Sequence, residues 1–144
     1  MNRFSVLSLA AVLALSAPPA IAQQAAAPTA ISRVTLFRIP AGQRPAFDKD
    51  MKENVFPIWE AEKKAGIIVS YAVFTKTTRD GENDWQVGTT VTYANWGALD
   101  GIGAKTDPIT LKHYGSAERR TAAGDARNTF RVAVSAHWLG SYAP

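Results

Sequence analysis

The chain has 144 residues, no cysteine and a formal net charge of +4 at neutral pH. Without cysteine, disulfides, thiolate metal sites and thiol nucleophiles are excluded. The basic residues are scattered, and Lys63-Lys64 and Arg119-Arg120 are the only adjacent pairs. A basic stripe interleaved with aromatic residues, which is typical of nucleic-acid binding, is missing, so no nucleic-acid partner is expected.

The first 22 residues have the three parts of a secretory signal peptide. Arg3 gives a positive start, residues 6–15 are apolar, and Ala20-Ile21-Ala22 has the small-x-small pattern of a cleavage site. The apolar segment is shorter than the roughly 20 residues that span a bilayer. We therefore predict cleavage after Ala22 and a secreted or periplasmic protein without membrane contact, the alternative being an uncleaved N-terminal anchor.

Residues 23–32 contain few bulky apolar groups and are predicted to form a flexible leader before a single domain at 33–144. The domain opens with a branched and aromatic strand at residues 34–39, followed by a helix at 45–65. Phe47, Met51, Val55 and Trp59 form an apolar stripe on this helix. Pro57 interrupts the pattern and predicts a kink or break.

Two further strands are predicted at residues 67–76 and 84–93, joined by a turn that contains Asp80-Gly81. Asn95 is expected to cap a short helix at 96–99, and a second helical segment is expected from Pro108 towards Arg120. The last strand, at 129–139, alternates apolar and polar residues. The strands at residues 67–76 and 84–93 are therefore predicted to form an antiparallel hairpin. The order of elements in the whole domain is βαββαβ.

This order is the ferredoxin-like pattern, an α+β fold in which both helices cover one face of a four-stranded antiparallel sheet. The helix ending near Trp59, the hairpin, the Trp96 segment and the long last strand resemble the dimeric α/β-barrel superfamily. That superfamily includes antibiotic-biosynthesis-type monooxygenases, ethyl-tert-butyl-ether-degradation-type proteins and NIPSNAP-like proteins. The resemblance covers residues 33–139 and is one of element order, so it assigns no catalytic residue.

The resemblance implies a homodimer in which two sheets close into a barrel around a ligand cavity, the alternative being a monomer with an open face. Strand parity places one aliphatic and aromatic face under the helices. The opposite face is mixed and is predicted to line the cavity: Ile68, Ser70, Ala72, Phe74, Gln86, Gly88, Thr90, Thr92, Arg131, Ala133, Ser135 and His137. Gln86, Thr90, Arg131 and Ser135 are its candidate substrate-binding residues.

His137 and His113 are the candidate catalytic residues. His137 shares the mixed face, where an imidazole beside a hydroxyl and a guanidinium suits a general base or an axial haem ligand. Its alternative is a structural histidine at a strand end. His113 lies in the second helical region, from which related barrels take a haem ligand, and its alternative is a histidine packed between helix and sheet. Haem is thus left open as a cofactor, and no metal site is expected, since two isolated histidines do not form one.

Two functions follow from these observations. The first is a small-molecule-binding barrel for an apolar or aromatic ligand, acting as a monooxygenase-type oxidoreductase. The second is a non-catalytic exported binding or stress-related module with the same fold. The order of secondary-structure elements is common to both.

Overall fold

The computed structural model describes residues 29–78 and 80–140. The predicted signal peptide and most of the predicted leader lie outside the described residues. Within these ranges, no helix is both long enough and apolar enough to cross a bilayer.

Four antiparallel strands form one sheet in the order β2-β3-β1-β4. They are β1 (Ile31–Arg38), β2 (Ser70–Thr75), β3 (Val87–Tyr93) and β4 (Val132–Gly140). The first and third strands occupy the centre, as the split βαβ arrangement requires. The predicted ferredoxin-like α+β fold is confirmed, although β1 starts within the predicted leader.

The first helical segment runs on through the proline that was predicted to break it. It consists of α1 (Arg44–Asp50), a π-helical turn (Met51–Val55) and α2 (Phe56–Lys64). Pro57 has no N–H to donate to the carbonyl four residues earlier. The chain widens just before it, where the Phe56 N–H donates to the Met51 carbonyl five residues back. The interruption at Pro57 is thus a π-helical turn, and no sharp break occurs.

The second helical region is longer than predicted and contains two main helices. After a short 3-10 helix (Trp96–Leu99), capped by Asn95 as predicted, come α3 (Ile102–Tyr114) and α4 (Ala117–Phe130). Gly115, with φ of 80°, ends α3 in the left-handed conformation that glycine adopts without strain, and Ser116 caps α4. Residues 129 and 130, predicted to start the last strand, instead form the final turn of α4.

A β-bulge in β4 changes which side chains face the helices. Leu36 pairs with Ser135, but Phe37 pairs with Ala133, so Val134 is an extra residue. An extra residue reverses the alternation on its far side. Arg131 and Ala133 therefore lie on the helix side with Phe37, and Trp138 follows them there, packed against Tyr93 and Trp96. The uniform alternation predicted for this strand is wrong.

The apolar core lies at one end of the sheet, beneath α1 and the end of α4. It consists of Phe37, Ile39, Phe47, Met51, Val87 and Phe130. Phe37 and Met51 of this core also line the cavity described below, which extends along the helix side of the sheet towards Tyr93. Ile31 and Ile68, 1% and 2% exposed, are buried outside this cluster, with Ile31 at the opposite end of β1.

A partly buried ion pair joins α1 to α4. Arg127 Nε donates to Asp50 Oδ2 at 2.8 Å and its Nη2 donates to Asp50 Oδ1 at 3.1 Å. The two side chains are only 16% and 9% exposed. Arg127 also donates to the Tyr114 hydroxyl on α3, so one guanidinium connects three helices.

We predict that Asp50→Ala lowers the free energy of unfolding by about 3–5 kcal/mol, because it leaves a partly buried guanidinium without its carboxylate. Asp48→Ala is the matched control: it breaks the exposed Arg44–Asp48 pair, whose side chains are 51% and 54% exposed, and is expected to cost less than about 1 kcal/mol. Urea denaturation of both variants measures the difference. Equal losses in the two variants would contradict the structural role of the pair.

Candidate ligand-binding cavity

A cavity of 680 Å³ lies between the sheet and the helices. Its floor is formed by β1, β3 and the start of β4, and its walls by the π-helical turn, α2, α3 and α4. The lining side chains are Arg33, Thr35, Phe37, Met51, Val55, Ile58, Trp59, Glu62, Thr89, Val91, Tyr93, Ile102, Thr106, Thr110, Tyr114, Arg120, Arg127, Arg131 and Ala133. Apolar and aromatic side chains make up about half of this lining, and the rest consists of four threonines and five charged residues.

Arginines dominate the charge of this cavity. Four line it, against one carboxylate, Glu62, among the described lining residues. Arg127 is neutralised by Asp50, and Arg120 donates to Asp107 at 2.8 Å. The guanidinium of Arg33 lies 5.9 Å from the centre of the Trp138 ring. The cavity therefore has an excess of positive charge.

Arg131 is the arginine whose environment departs most from that of a surface residue. Its guanidinium carbon lies 4.8 Å from the centre of the Phe37 ring, and no carboxylate in the described ranges pairs with it. Burial lowers the pKa of Arg131, and the nearby charge of Arg127 lowers it further. A cation removed from water without a counterion is unfavourable, so an anion entering the cavity would be attracted to this group.

Glu62 lies on the wall opposite the sheet and is only 8% exposed. Its carboxylate has no hydrogen-bond or ion-pair partner among the described residues, and neither oxygen is fully enclosed by protein. Burial raises the pKa of Glu62. The pKa of the neighbouring Tyr93 hydroxyl is raised as well, first by burial and then by the charge of Glu62.

A chain of hydrogen bonds behind the cavity fixes the position of Arg127. Its partner Asp50 accepts from Asn54 Nδ2 at 2.8 Å, and Asn54 Oδ1 lies 3.0 Å from His113 Nε2. Since the Asn54 amide donates towards Asp50, its oxygen accepts from His113, which places a proton on Nε2. The network therefore assigns His113 a supporting position outside the cavity.

Arg131 is the one sequence-predicted site residue that lines the described cavity. Because of the bulge, Ser135 and His137 pair with Leu36 and Val34 and lie on the opposite, open face of the sheet. Thr90 also pairs with Val34 and shares that face. The predicted grouping of Arg131 with Ser135 and His137 is therefore wrong, and the described cavity lies on the opposite side of the sheet from the mixed face.

Gln86 likewise lies outside the cavity, where its side-chain oxygen accepts a hydrogen bond from the Ile39 N–H at the end of β1. This hydrogen bond satisfies a backbone N–H just beyond the end of β1. Its position is explained by the fold and does not require a ligand.

The described cavity residues do not fit a haem held by histidine. His113 binds Asn54 behind the wall, and the exposed His137 lies on the other side of the sheet. No cluster of three or more metal-ligating His, Asp or Glu side chains occurs within residues 29–78 and 80–140.

Glu62, Tyr93, Arg33 and Arg127 were not predicted as site residues. For Glu62 the sequence does contain a signal: it follows Val55, Ile58 and Trp59 at helical spacing, on the apolar stripe of the first helix. A carboxylate on a buried stripe, without a basic residue three or four positions away on the same helix face, is typical of a functional group.

Comparisons with known proteins support the fold assignment. No protein-family model matches the chain, and no curated protein matches it. The structure is similar to the crystal structure of HapK from Hahella chejuensis, with a TM-score of 0.50 and 12% sequence identity over 79% of this chain and 98% of HapK. A dimeric protein of unknown function and ferredoxin-like fold from Bacteroides fragilis matches with a TM-score of 0.38 and 18% identity, over 78% of this chain and 94% of that chain. At such identities, the similarity to HapK concerns the fold alone.

We predict that Glu62→Gln stabilises the protein at pH 7. The folded-state pKa of Glu62 is raised above its ordinary value of 4.5, so the stability linked to its protonated form is present below that value and is lost as the pH rises through the folded pKa. Glutamine does not ionise, so Glu62→Gln keeps this stability as the pH rises. Thermal unfolding should therefore show a higher Tm for Glu62→Gln at pH 7 and no difference from the unchanged protein at pH 4.

The exposed Glu53 provides the matched control, and Glu53→Gln should leave the pH dependence of Tm unchanged. A lower Tm for Glu62→Gln at pH 7 would mean that the carboxylate has a structural partner, and would contradict its assignment as a ligand-facing group.

Proposed function

We propose that the protein binds a small organic anion with an aromatic or apolar body in the cavity between sheet and helices. The observation that carries the proposal is Arg131, a partly buried cation facing the cavity without a carboxylate partner among the described residues. A carboxylate or similar anion would form charge-assisted hydrogen bonds with its guanidinium.

The apolar part of the lining supports an aromatic or aliphatic body for this ligand. Val55, Ile58 and Trp59 face the strand residues Thr35 and Val91 across the middle of the cavity. These side chains remove water from a bound ring and contribute about 25 cal/mol for each Å² of apolar surface buried. Monooxygenase-type oxidation and the action of a non-catalytic binding module both begin with such binding. Oxidation stays a prediction from the resemblance.

We also propose that binding takes place outside the cytoplasm. This part of the proposal is supported by the signal-peptide pattern of residues 1–22.

Arg131→Met is predicted to weaken the binding of phenylbutanoate about tenfold to a hundredfold, the range expected for loss of charge-assisted hydrogen bonds. Isothermal titration calorimetry measures the affinity, with phenylbutanol as the uncharged ligand of the same shape. Arg119→Met, at an exposed arginine on α4, is the control and should bind like the unchanged protein. Equal affinities for the acid and the alcohol, or an unchanged affinity in Arg131→Met, would contradict the proposal.

A second copy of the chain is proposed to cover the open face of the sheet. Several apolar side chains on this face are exposed, among them Phe74 at 37%, Val132 at 39% and Leu139 at 53%. Apart from Arg38 at its edge and His137, the face carries small, polar or apolar residues: Ser32, Val34, Leu36, Ser70, Ala72, Gly88, Thr90, Thr92 and Ser135. A face almost free of charge is complementary to itself, as a two-fold dimer requires.

Val34→Lys should convert this dimer to a monomer, because it places two charges near the centre of the proposed interface. Val34 pairs with Thr90 and His137 in the middle of the face. Leu111→Lys is the control: it alters an apolar side chain that is 37% exposed on α3, away from the open face, and should leave the dimer intact. Size-exclusion chromatography with light scattering gives the mass, and a monomeric unchanged protein would refute the dimer.

A further inference from the structure

Glu62 and Arg131 lie at opposite ends of the cavity. Arg131 immediately precedes β4 and contacts Phe37, near the end of β1. Glu62 lies at the other end of the cavity. Its backbone carbonyl accepts a hydrogen bond from the Ile67 N–H. Two residues later, the Val69 N–H donates to the Thr92 carbonyl at the end of β3. Between Phe37 and Arg33, which lies near Tyr93, β1 advances four residues, or roughly 13 Å.

We propose that Glu62 contacts the far end of the bound molecule and selects ligands that carry a hydroxyl group there. This inference rests on the proposed function, because Arg131 holds the anionic end. The ligand class is thus an elongated hydroxy acid, with the anion and the hydroxyl separated by an aromatic or apolar body. Tyr93 lines the cavity beside Glu62 at the same end.

The charges near Glu62 favour a neutral donor. A carboxylate 8% exposed, facing open space and without a hydrogen bond among the described residues, can accept one. Arg33 is close enough for its positive charge to act on Tyr93 beside Glu62. A hydroxyl donates a hydrogen bond to Glu62 without adding a second positive charge to this end of the cavity.

The alternative role for Glu62 is that of a structural carboxylate paired with a basic residue. No ion pair within residues 29–78 and 80–140 includes it, and burial is the cause that raises its pKa. An unpaired buried carboxylate destabilises the fold. Packing therefore does not explain the presence of Glu62, whereas contact with a ligand does.

The test compares phenylbutanoate with para-hydroxyphenylbutanoate by isothermal titration calorimetry. The unchanged protein should bind the hydroxylated acid about tenfold more tightly, as expected for one hydrogen bond to a carboxylate. Glu62→Leu should abolish this preference and leave the affinity for phenylbutanoate equal or higher. Glu62→Gln, which keeps an acceptor oxygen, should retain part of the preference, and Glu53→Gln should retain all of it.

An equal affinity of the unchanged protein for the two acids would overturn this inference, as would a preference that survives in Glu62→Leu. If phenylbutanoate still binds in an Arg131-dependent manner, the proposed function stands and the hydroxyl contact alone fails. If neither acid binds, both proposals fail. Tighter binding of the para-aminomethyl analogue than of the hydroxylated acid would overturn the assignment of a neutral donor.

Discussion

The ion pair between Asp50 and Arg127 determines how charge is distributed through the helical layer. It joins α1 to α4, and Tyr114 extends the contact to α3. Burial alone would lower the pKa of Arg127, but Asp50 and Tyr114 outweigh this effect and raise it. Arg127 is thereby a fixed, neutralised cation, whereas Arg131 beside it faces the cavity as a partly buried cation without a protein counterion in the described ranges. The Asp50–Arg127 pair thus stabilises the fold, and the nearby Arg131 is the proposed ligand-binding group.

The packed core and the cavity meet at Phe37 and Met51, which belong to both. The end beneath α1 contains the packed core around Phe47 and Val87, both almost fully buried. The cavity instead contains two groups whose burial is uncompensated, Arg131 and Glu62. Such groups reduce stability, and natural proteins retain them where a ligand supplies the missing contact. The same two side chains therefore destabilise the fold and, in the proposed function, determine which ligand binds.

The fold was predictable from the sequence because hydrophobic periodicity and turn residues determine the order of elements. The hairpin, the Asn95 cap and the interruption at Pro57 all follow from local chemistry. The site was less predictable, since the bulge at Val134 reverses the side-chain alternation and separates His137 from Arg131. An inserted residue in a strand leaves no trace in an alternating sequence. Glu62 could have been found from its place on the apolar stripe, but the pairing of Asp50 with Arg127, 77 residues later in the chain, depends on tertiary packing.

The central claim is that an organic anion binds in the cavity with its charge on Arg131. A crystal structure of the protein grown with para-bromophenylbutanoate tests it most directly, because the anomalous signal of bromine locates the ligand independently of its fit to density. We expect bromine within the cavity, with the carboxylate within hydrogen-bond distance of the Arg131 guanidinium. Bromine on the open face of the sheet, or a carboxylate directed away from Arg131 within an occupied cavity, would contradict it.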